Sequence, residues 1–173
     1  MDLVLRVPRQ SEEAEFLRAH RATSPSVRNF LHYYEAGMPF RRYLEVLAEQ
    51  ERGENLSANQ VPSTFLFAFA GARIVGRVSI RHALNMYLER VGGHIGYVVV
   101  PDYRRQGYAT EMLRQSLQIA RQKLGLERVL VTCDDDNVGS IKAIEKNGGV
   151  LDSIVAGADG GKPKRRYWIA TAG

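Results

Sequence analysis

The feature that most constrains the fold is a strand, a basic turn and a long helix in direct succession. Residues 94–100 are an almost continuous apolar run, typical of a strand buried on both faces. Residues 110–124 carry apolar side chains at helical spacing, and Gly125 suits the end of that helix. The first amides of a helix have no intrahelical partner and carry the positive end of its dipole. The turn at 104–109 therefore predicts an anion site whose chemistry fits a pyrophosphate.

Four residues of this turn support the interpretation. Gly107 allows the backbone to approach a phosphate, small Ala109 keeps that approach open, and Arg104 and Arg105 add positive charge. The competing interpretation is an ordinary strand-to-helix turn with two solvated arginines. The segment is neither a P-loop nor a dinucleotide-binding fingerprint, because it lacks the required lysine and glycines.

The order of the predicted elements indicates a mixed α/β fold. The chain reads as a strand, a group of helices, a meander of three strands, a helix, a strand, a helix and two strands. We expect about seven strands in one mostly antiparallel central sheet, flanked by helices, with residues 1–173 forming a single domain. Strands are predicted at 3–7, 64–70, 74–82, 94–100, 128–133, 150–155 and 166–170, and helices at 11–22, 28–36, 39–52, 110–124 and 138–147.

Composition narrows the functional classes. No stretch approaches the ~20 apolar residues that a membrane span needs, and the N-terminus lacks the pattern of a secretory signal. The single cysteine, Cys133, and the four scattered histidines give no zinc spacing, so we expect no metal and a cytoplasmic location. The formal net charge of +5 favours an anionic partner without choosing one. Nucleic acid is a weak candidate, since no aromatic side chains interleave with a basic surface.

A second block follows the strand at 128–133. It contains Asn137-x-x-Ser140 and then Glu145-Lys146-x-Gly148. Asn137 follows three aspartates and is a natural N-cap for the helix at 138–147, which is its structural interpretation.

Together the two blocks resemble the GNAT superfamily of acetyltransferases. Arg104-x-x-Gly107-x-Ala109 is similar to the pyrophosphate-binding signature of that family, and Gly96-Tyr97-x-Val99-x-Pro101 resembles its ribosomal-protein and polyamine branches. The resemblance covers residues 75–155 with motifs, and His82-x-x-Asn85 with Gly92-Gly93-His94 resembles a bacterial subgroup. It implies the acyl-CoA N-acyltransferase fold and acetyl-CoA as co-substrate.

The resemblance also implies which residues hold the coenzyme. The fourth and fifth strands of the family splay apart, the pantetheine arm pairs with the fourth strand, and an amide near Val99 or Val100 polarises the thioester carbonyl. The implied coenzyme-binding residues are Val98, Val99, Val100, Arg104, Arg105, Gln106, Gly107, Tyr108, Ala109, Thr110, Asn137, Ser140 and Ile144.

The catalytic residues are less clearly marked. Many relatives carry a tyrosine seven residues after the asparagine, and this sequence has Ile144 there. His94 stands where relatives often have glutamate and is the candidate general base, although a histidine satisfied within the sheet is an equal alternative. Tyr97 and Ser140 are candidate acids. Strand alternation places His94 and Tyr97 on opposite faces.

The sequence therefore predicts an N-acetyltransferase that acts on an amine of a small molecule or a protein. The oligomeric state is left open by the sequence, and a homodimer is the assembly that the resemblance suggests, since dimers are common in the family. The alternative is a non-catalytic module that binds or senses acetyl-CoA, which the isoleucine at position 144 motivates. Neither a membrane nor nucleic acid is an expected partner. The basic segment 162–166 is interpreted as a solvated hairpin or as a contact for an acidic group.

Overall fold

Residues 2–23 and 30–171 are described by a computed structural model of the chain. They contain a seven-stranded sheet with the strand order β1-β2-β3-β4-β5-β7-β6, which confirms the predicted class. The strands are β1 (Val4–Arg6), β2 (Ser63–Ala70), β3 (Arg73–Arg81), β4 (Ile95–Val99), β5 (Arg128–Asp134), β6 (Val150–Val155) and β7 (Lys164–Ala170); the α-helices are α1 (Glu13–Thr23), α2 (Phe40–Arg52), α3 (Tyr108–Leu124) and α4 (Val138–Lys146).

Helices cover both faces of the sheet. On one face, α1 and α2 pack on β2 and β3 through a cluster of aromatic side chains, in which Phe16 contacts both Tyr43 and Phe67 and all three are fully buried. On the other face, α3 and α4 pack on β4, β5 and β7 through aliphatic side chains such as Leu113 and Ile144. Large aromatic rings and branched side chains bury enough apolar area to hold each layer.

The only parallel neighbours among the described strands are β4 and β5. They are connected through α3, and a helical crossover between adjacent strands makes those strands run in the same direction. Their register consists of Ile95 opposite Val131, and beyond this pair the strands diverge. The sheet is therefore continuous on one side of Ile95 and open on the other.

Some boundaries differ from the prediction. The described residues 30–36 of the predicted helix at 28–36 form bends and turns, so the prediction is wrong there, and residues 28 and 29 lie outside the described part. The Gly37 φ of 87° shows that a left-handed turn follows directly. At the other end of the chain, β7 lies between β5 and β6, because it pairs antiparallel with both of them.

No helix among the described residues has the length and apolar character needed to cross a membrane. The same part of the chain holds no group of three or more histidine, cysteine, aspartate or glutamate side chains positioned to bind a metal ion. Cys133 is buried, and burial raises the pKa of its thiol to about 11, as suits a small core residue.

Candidate functional site

A cleft of about 620 Å³ lies where β4 separates from β5, between the start of α3 and the start of α4. Its walls come from the strand, turn and helix that the sequence singles out, together with α4. The lining residues are Tyr97, Val98, Val99, Tyr103, Arg104, Arg105, Gly107, Tyr108, Ala109, Thr110, Asn137, Val138, Gly139, Ser140, Lys142, Ala143 and Lys146.

The floor of the cleft at its basic end is the N-terminus of α3. Gly107 precedes the helix with a φ of 86°, and Arg105 also lies in the left-handed region, at 64°. The first amide that bonds within the helix is that of Glu111, which donates to Gly107 O at 3.2 Å. The amides of residues 108–110 come before this bond, so they can donate to an anion in the cleft.

The charge of the cleft is positive throughout. Arg104 and Arg105 stand on the turn before α3, and Lys142 and Lys146 stand one helical turn apart on α4. No aspartate or glutamate is among the described residues that line it. Neither lysine is among the residues predicted from the sequence, although their spacing of four on the predicted helix at 138–147 places them on one face.

One edge of β4 is open toward the cleft. His94 O accepts from Arg81 N–H and Val100 N–H donates to Val75 O, so even-numbered residues of this strand bond to β3. In an antiparallel ladder the alternate residues direct their amides and carbonyls to the other side. Tyr97 and Val99 therefore present backbone groups to the gap, whereas the Val100 amide, one of the two predicted to polarise a thioester, is already bonded.

The start of α4 forms the opposite wall. Asn137 Oδ1 accepts from Ser140 N–H at 3.1 Å, which confirms the predicted N-cap, and both residues line the cleft. The Tyr97 hydroxyl donates to Ser140 O at 3.4 Å, across from β4. Burial raises the pKa of Tyr97 to about 12, so its phenol stays protonated at neutral pH.

The structure does not place His94 in the cleft. Its side chain is buried, and its Nδ1 accepts from Leu130 N–H at 2.9 Å. A neutral imidazole that accepts at Nδ1 carries its proton on Nε2 and can only donate there. Burial also lowers the pKa of His94. This arrangement argues against the predicted role of general base.

Three predicted coenzyme-binding residues also lie outside the lining. Val100 and Ile144 are fully buried in the two core layers. The Gln106 side chain points back to its own turn and donates to Asp102 O at 3.1 Å. At position 144, where many relatives carry a tyrosine, this protein therefore has a side chain that belongs to the core.

Comparisons with known proteins agree with this geometry. Residues 2–150 match the acetyltransferase (GNAT) domain family. The uncharacterized N-acetyltransferase YnaD of Bacillus subtilis is 33% identical over 54 residues, which are 31% of this chain and 32% of that protein. The match thus spans about a third of the length of YnaD.

Two solved structures show the same fold. RimL, a ribosomal L7/L12 alpha-N-protein acetyltransferase in complex with coenzyme A, superposes with a TM-score of 0.70 at 16% identity, over 99% of this chain and 96% of its own. The microcin C7 self-immunity acetyltransferase MccE, in complex with acetyl-CoA and AMP, gives 0.64 at 17% identity, over 98% and 92%.

Proposed function

Since the chain belongs to the GNAT acetyltransferase family, we propose that it transfers the acetyl group of acetyl-CoA to a primary amine of a small molecule or a protein. One observation carries the proposal: the cleft connects a positively charged site for an anion, at the N-terminus of α3, with the open edge of β4. Pyrophosphate and pantetheine, which are consecutive parts of coenzyme A, need these two surfaces in this order.

The residues fit the coenzyme in charge and in shape. The amides of residues 108–110 and the arginines 104 and 105 would hold the pyrophosphate. The backbone groups of Tyr97 and Val99 would pair with the amides of the pantetheine arm, which would enter the sheet as an added strand. The Asn137 side chain lines the same cleft and keeps its capping bond while its NH₂ group stays available to donate. RimL and MccE were solved with coenzyme A and acetyl-CoA, respectively.

The reaction makes one bond and breaks another. The neutral amine attacks the thioester carbon, a C–N bond forms, the C–S bond breaks, the amine loses a proton, and the thiolate of coenzyme A gains one. An amide at the open edge of β4, that of Tyr97 or Val99, would donate to the carbonyl oxygen as negative charge develops on it. The Tyr97 hydroxyl and the Ser140 hydroxyl would be the candidate donors to the thiolate, since both residues line the cleft.

Placement would supply much of the rate. A lysine-like amine with a pKa of ~10.4 needs roughly 4–5 kcal/mol to deprotonate at neutral pH. Holding an amine against a thioester contributes up to ~7–11 kcal/mol in favourable cases. The site can therefore work although the lone pair of His94 Nδ1 already accepts from Leu130 N–H and is not free to act as a base.

The second candidate function is a module that binds acetyl-CoA without turnover. It is favoured by Ile144, which is fully buried where relatives have a tyrosine. Both candidates require the coenzyme to bind, and only the first requires release of coenzyme A when amines are added.

The test is calorimetric titration of the protein with acetyl-CoA, with Gly107→Glu and Gly125→Glu as a matched pair of variants. Both glycines cap α3 in the left-handed region, at φ 86° and 65°, so a glutamate strains the backbone similarly at either end. We expect Gly107→Glu to abolish binding, because its carboxylate repels phosphate, and Gly125→Glu to bind like the wild type. A wild type that does not bind acetyl-CoA would refute both candidate functions.

Turnover separates the two candidates. Release of coenzyme A is followed with a thiol reagent while a panel of amines and peptides is added to the protein and acetyl-CoA. Amine-dependent release with formation of the acetylated amine supports the transferase. Tight binding without release across the panel supports the binding module and contradicts the transferase.

A further inference from the structure

A cluster of polar donors lies on the face of the sheet opposite α3, beside the point where the sheet opens. Pairing of β3 with β4 sets Arg77 opposite Val98 and Ser79 opposite Gly96, and residues that face each other across a ladder share one face. Arg81 and His94 continue the same face, with Arg81 N–H bonded to His94 O at 2.8 Å. None of these residues is part of the coenzyme cleft except Val98.

Arg81 lies opposite His94, and its guanidinium extends along this face to Gly96, the first residue of β4 after the strands separate. One of its terminal nitrogens, Nη1, donates to the carbonyls of Gly92 and Gly93, both at 3.2 Å. Its two terminal nitrogens lie 3.5 and 3.8 Å from the point where a Cβ on Gly96 would stand. Among the described residues no carboxylate pairs with Arg81, and its Nη2 has no partner. Burying a guanidinium without a counterion has an unfavourable free energy, which a bound anionic ligand would offset.

His94 adds a second donor with a fixed direction of the hydrogen bond. Because Nδ1 accepts from Leu130 N–H, the proton of the neutral ring is on Nε2. Nε2 has no hydrogen-bond partner among the described residues. Since it is also not one of their buried unpaired side-chain atoms, it is in contact with solvent. It is therefore open to an acceptor that comes from outside.

The position of this pair relative to the gap suggests its role. β4 and β5 separate after Ile95, and the next residue, Gly96, has no side chain on the face of Arg81. Tyr97, whose backbone faces the gap, is one residue further, about 3.3 Å along the strand. An anion held between Arg81 and His94 would thus lie within a few bonds of an amine that attacks a thioester in the gap.

We propose that Arg81 and His94 bind an anionic group of the acceptor, a carboxylate or a phosphate, so that this protein acetylates amines that carry such a group a few bonds from the nitrogen. The proposal rests on the proposed acetyltransferase function. The guanidinium supplies two parallel N–H bonds that match an oxyanion, and the imidazole supplies a third donor.

Arg81 also holds the turn at Gly92 and Gly93 in place, so an Arg81 variant alone cannot separate the two roles. The test therefore compares matched acceptors with and without the anion. The pairs are phenylalanine and phenethylamine, phosphoethanolamine and ethanolamine, and peptides that begin Ser-Glu and Ser-Gln. Each pair keeps a primary amine; the first two pairs remove the anionic group, and the third replaces it by a neutral amide of the same shape. The three pairs distinguish a free carboxylate, a phosphate and an acidic side chain.

The measured quantity is kcat/KM for each acceptor with wild type, Arg81→Gln and the control Arg41→Gln. Glutamine keeps an N–H donor, two bonds nearer the backbone than Arg81 Nη1, and removes the charge. The Arg41 side chain is 83% exposed on α2. In at least one pair we expect the wild type to prefer the anionic acceptor tenfold or more. Arg81→Gln should lower that value at least tenfold, leave the uncharged acceptor within about threefold, and leave KM for acetyl-CoA unchanged. Arg41→Gln should behave like the wild type.

Two results would overturn the proposal and leave the transferase intact. One is equal or faster turnover of the uncharged member in every pair. The other is an equal loss for both members in Arg81→Gln, which shows that Arg81 acts only through the turn. If acetyl-CoA binds and no acceptor is acetylated, the proposed function fails and the acceptor proposal fails with it.

Discussion

The two lysines of α4 give the sharpest prediction about the coenzyme. Lys142 and Lys146 line the cleft and are exposed, and four residues on a helix separate them by about 6 Å along its axis. If the turn before α3 holds the pyrophosphate as proposed, the α4 wall would be left for the second phosphate group of coenzyme A, on the 3′ oxygen. We expect Lys142→Ala and Lys146→Ala each to weaken acetyl-CoA binding, and the double variant to weaken it further.

The magnitude follows from the exposure of the side chains. Two unit charges 4 Å apart in water interact by about 1 kcal/mol, and measured exposed pairs give ~0.2–1 kcal/mol. Each lysine should therefore contribute about 0.5–1 kcal/mol, which is roughly a two- to fivefold change in Kd, and both together roughly five- to 25-fold. The contribution should shrink as salt is added, because exposed charges are screened.

The assay is calorimetric titration with acetyl-CoA and with its 3′-dephospho form, on wild type and on the variants. Removal of the 3′-phosphate should weaken wild-type binding by the same factor as the double substitution, and the double variant should not distinguish the two coenzymes. Lys123→Ala, an exposed lysine of α3 outside the cleft, removes the same charge and should change nothing. An equal loss for both coenzymes in the lysine variants would refute the assignment to the 3′-phosphate.

Three further predictions concern the strand, the turn and the acid stability. Tyr97→Phe should lower kcat by ~10²-fold and leave Kd for acetyl-CoA within about twofold of the wild type. The wild-type rate should not fall on the alkaline side until the pH nears the Tyr97 pKa of about 12. Full turnover by the variant would show that another group is the acid. Arg105→Gly should relieve the positive φ of 64° yet change the free energy of unfolding by less than ~1 kcal/mol, while Kd for acetyl-CoA rises severalfold; unchanged affinity by calorimetry contradicts it. The Arg6 guanidinium lowers the pKa of Glu12 from 4.5 to about 2, so the stabilisation is present above pH 4.5 and is lost as pH falls toward 2. The Tm difference between wild type and Glu12→Gln should vanish over that range, and a constant difference would refute the linkage.

Local signals allowed most of the fold to be predicted. Strand β4 is indicated by the apolar run before Pro101, and helix α3 by the amphipathic run from Thr110 and by Gly125 at its end. These signals depend only on residues that are neighbours in the sequence. Residues 30–36, which form bends and turns, fall within the helix predicted at 28–36. Phe30 and Leu31 are instead buried against the aromatic layer formed by α1, α2 and β2, a tertiary contact that sequence spacing does not report.

The site was predictable where it is made of backbone and less so where it is made of side chains. Gly107 and Asn137 act through local geometry that spacing and capping rules describe. The state of His94 depends on Leu130, which is brought alongside only by the pairing of β4 with β5. No rule based on neighbouring residues identifies an imidazole whose Nδ1 is already bonded to a backbone amide from another strand.

The side chains of His94, Arg77 and Arg81 also restrict which amine the proposed reaction can use. A lysine ε-amine with a pKa of ~10.4 is neutral in roughly one molecule in 2,500 at pH 7, whereas an α-amine with a pKa of ~7.7–8.0 is neutral in roughly one in six to one in eleven. Because His94 Nδ1 accepts from Leu130 N–H and Nε2 carries the proton, the neutral imidazole has no free nitrogen lone pair to take a proton from the amine. Arg77 and Arg81 on the same face disfavour a cationic ammonium and lower the pKa of an amine held beside them. An amine of intrinsically low pKa that carries its own anion meets both conditions, since the anion would bind to Arg81 while a larger fraction of the amine is neutral than for a lysine side chain.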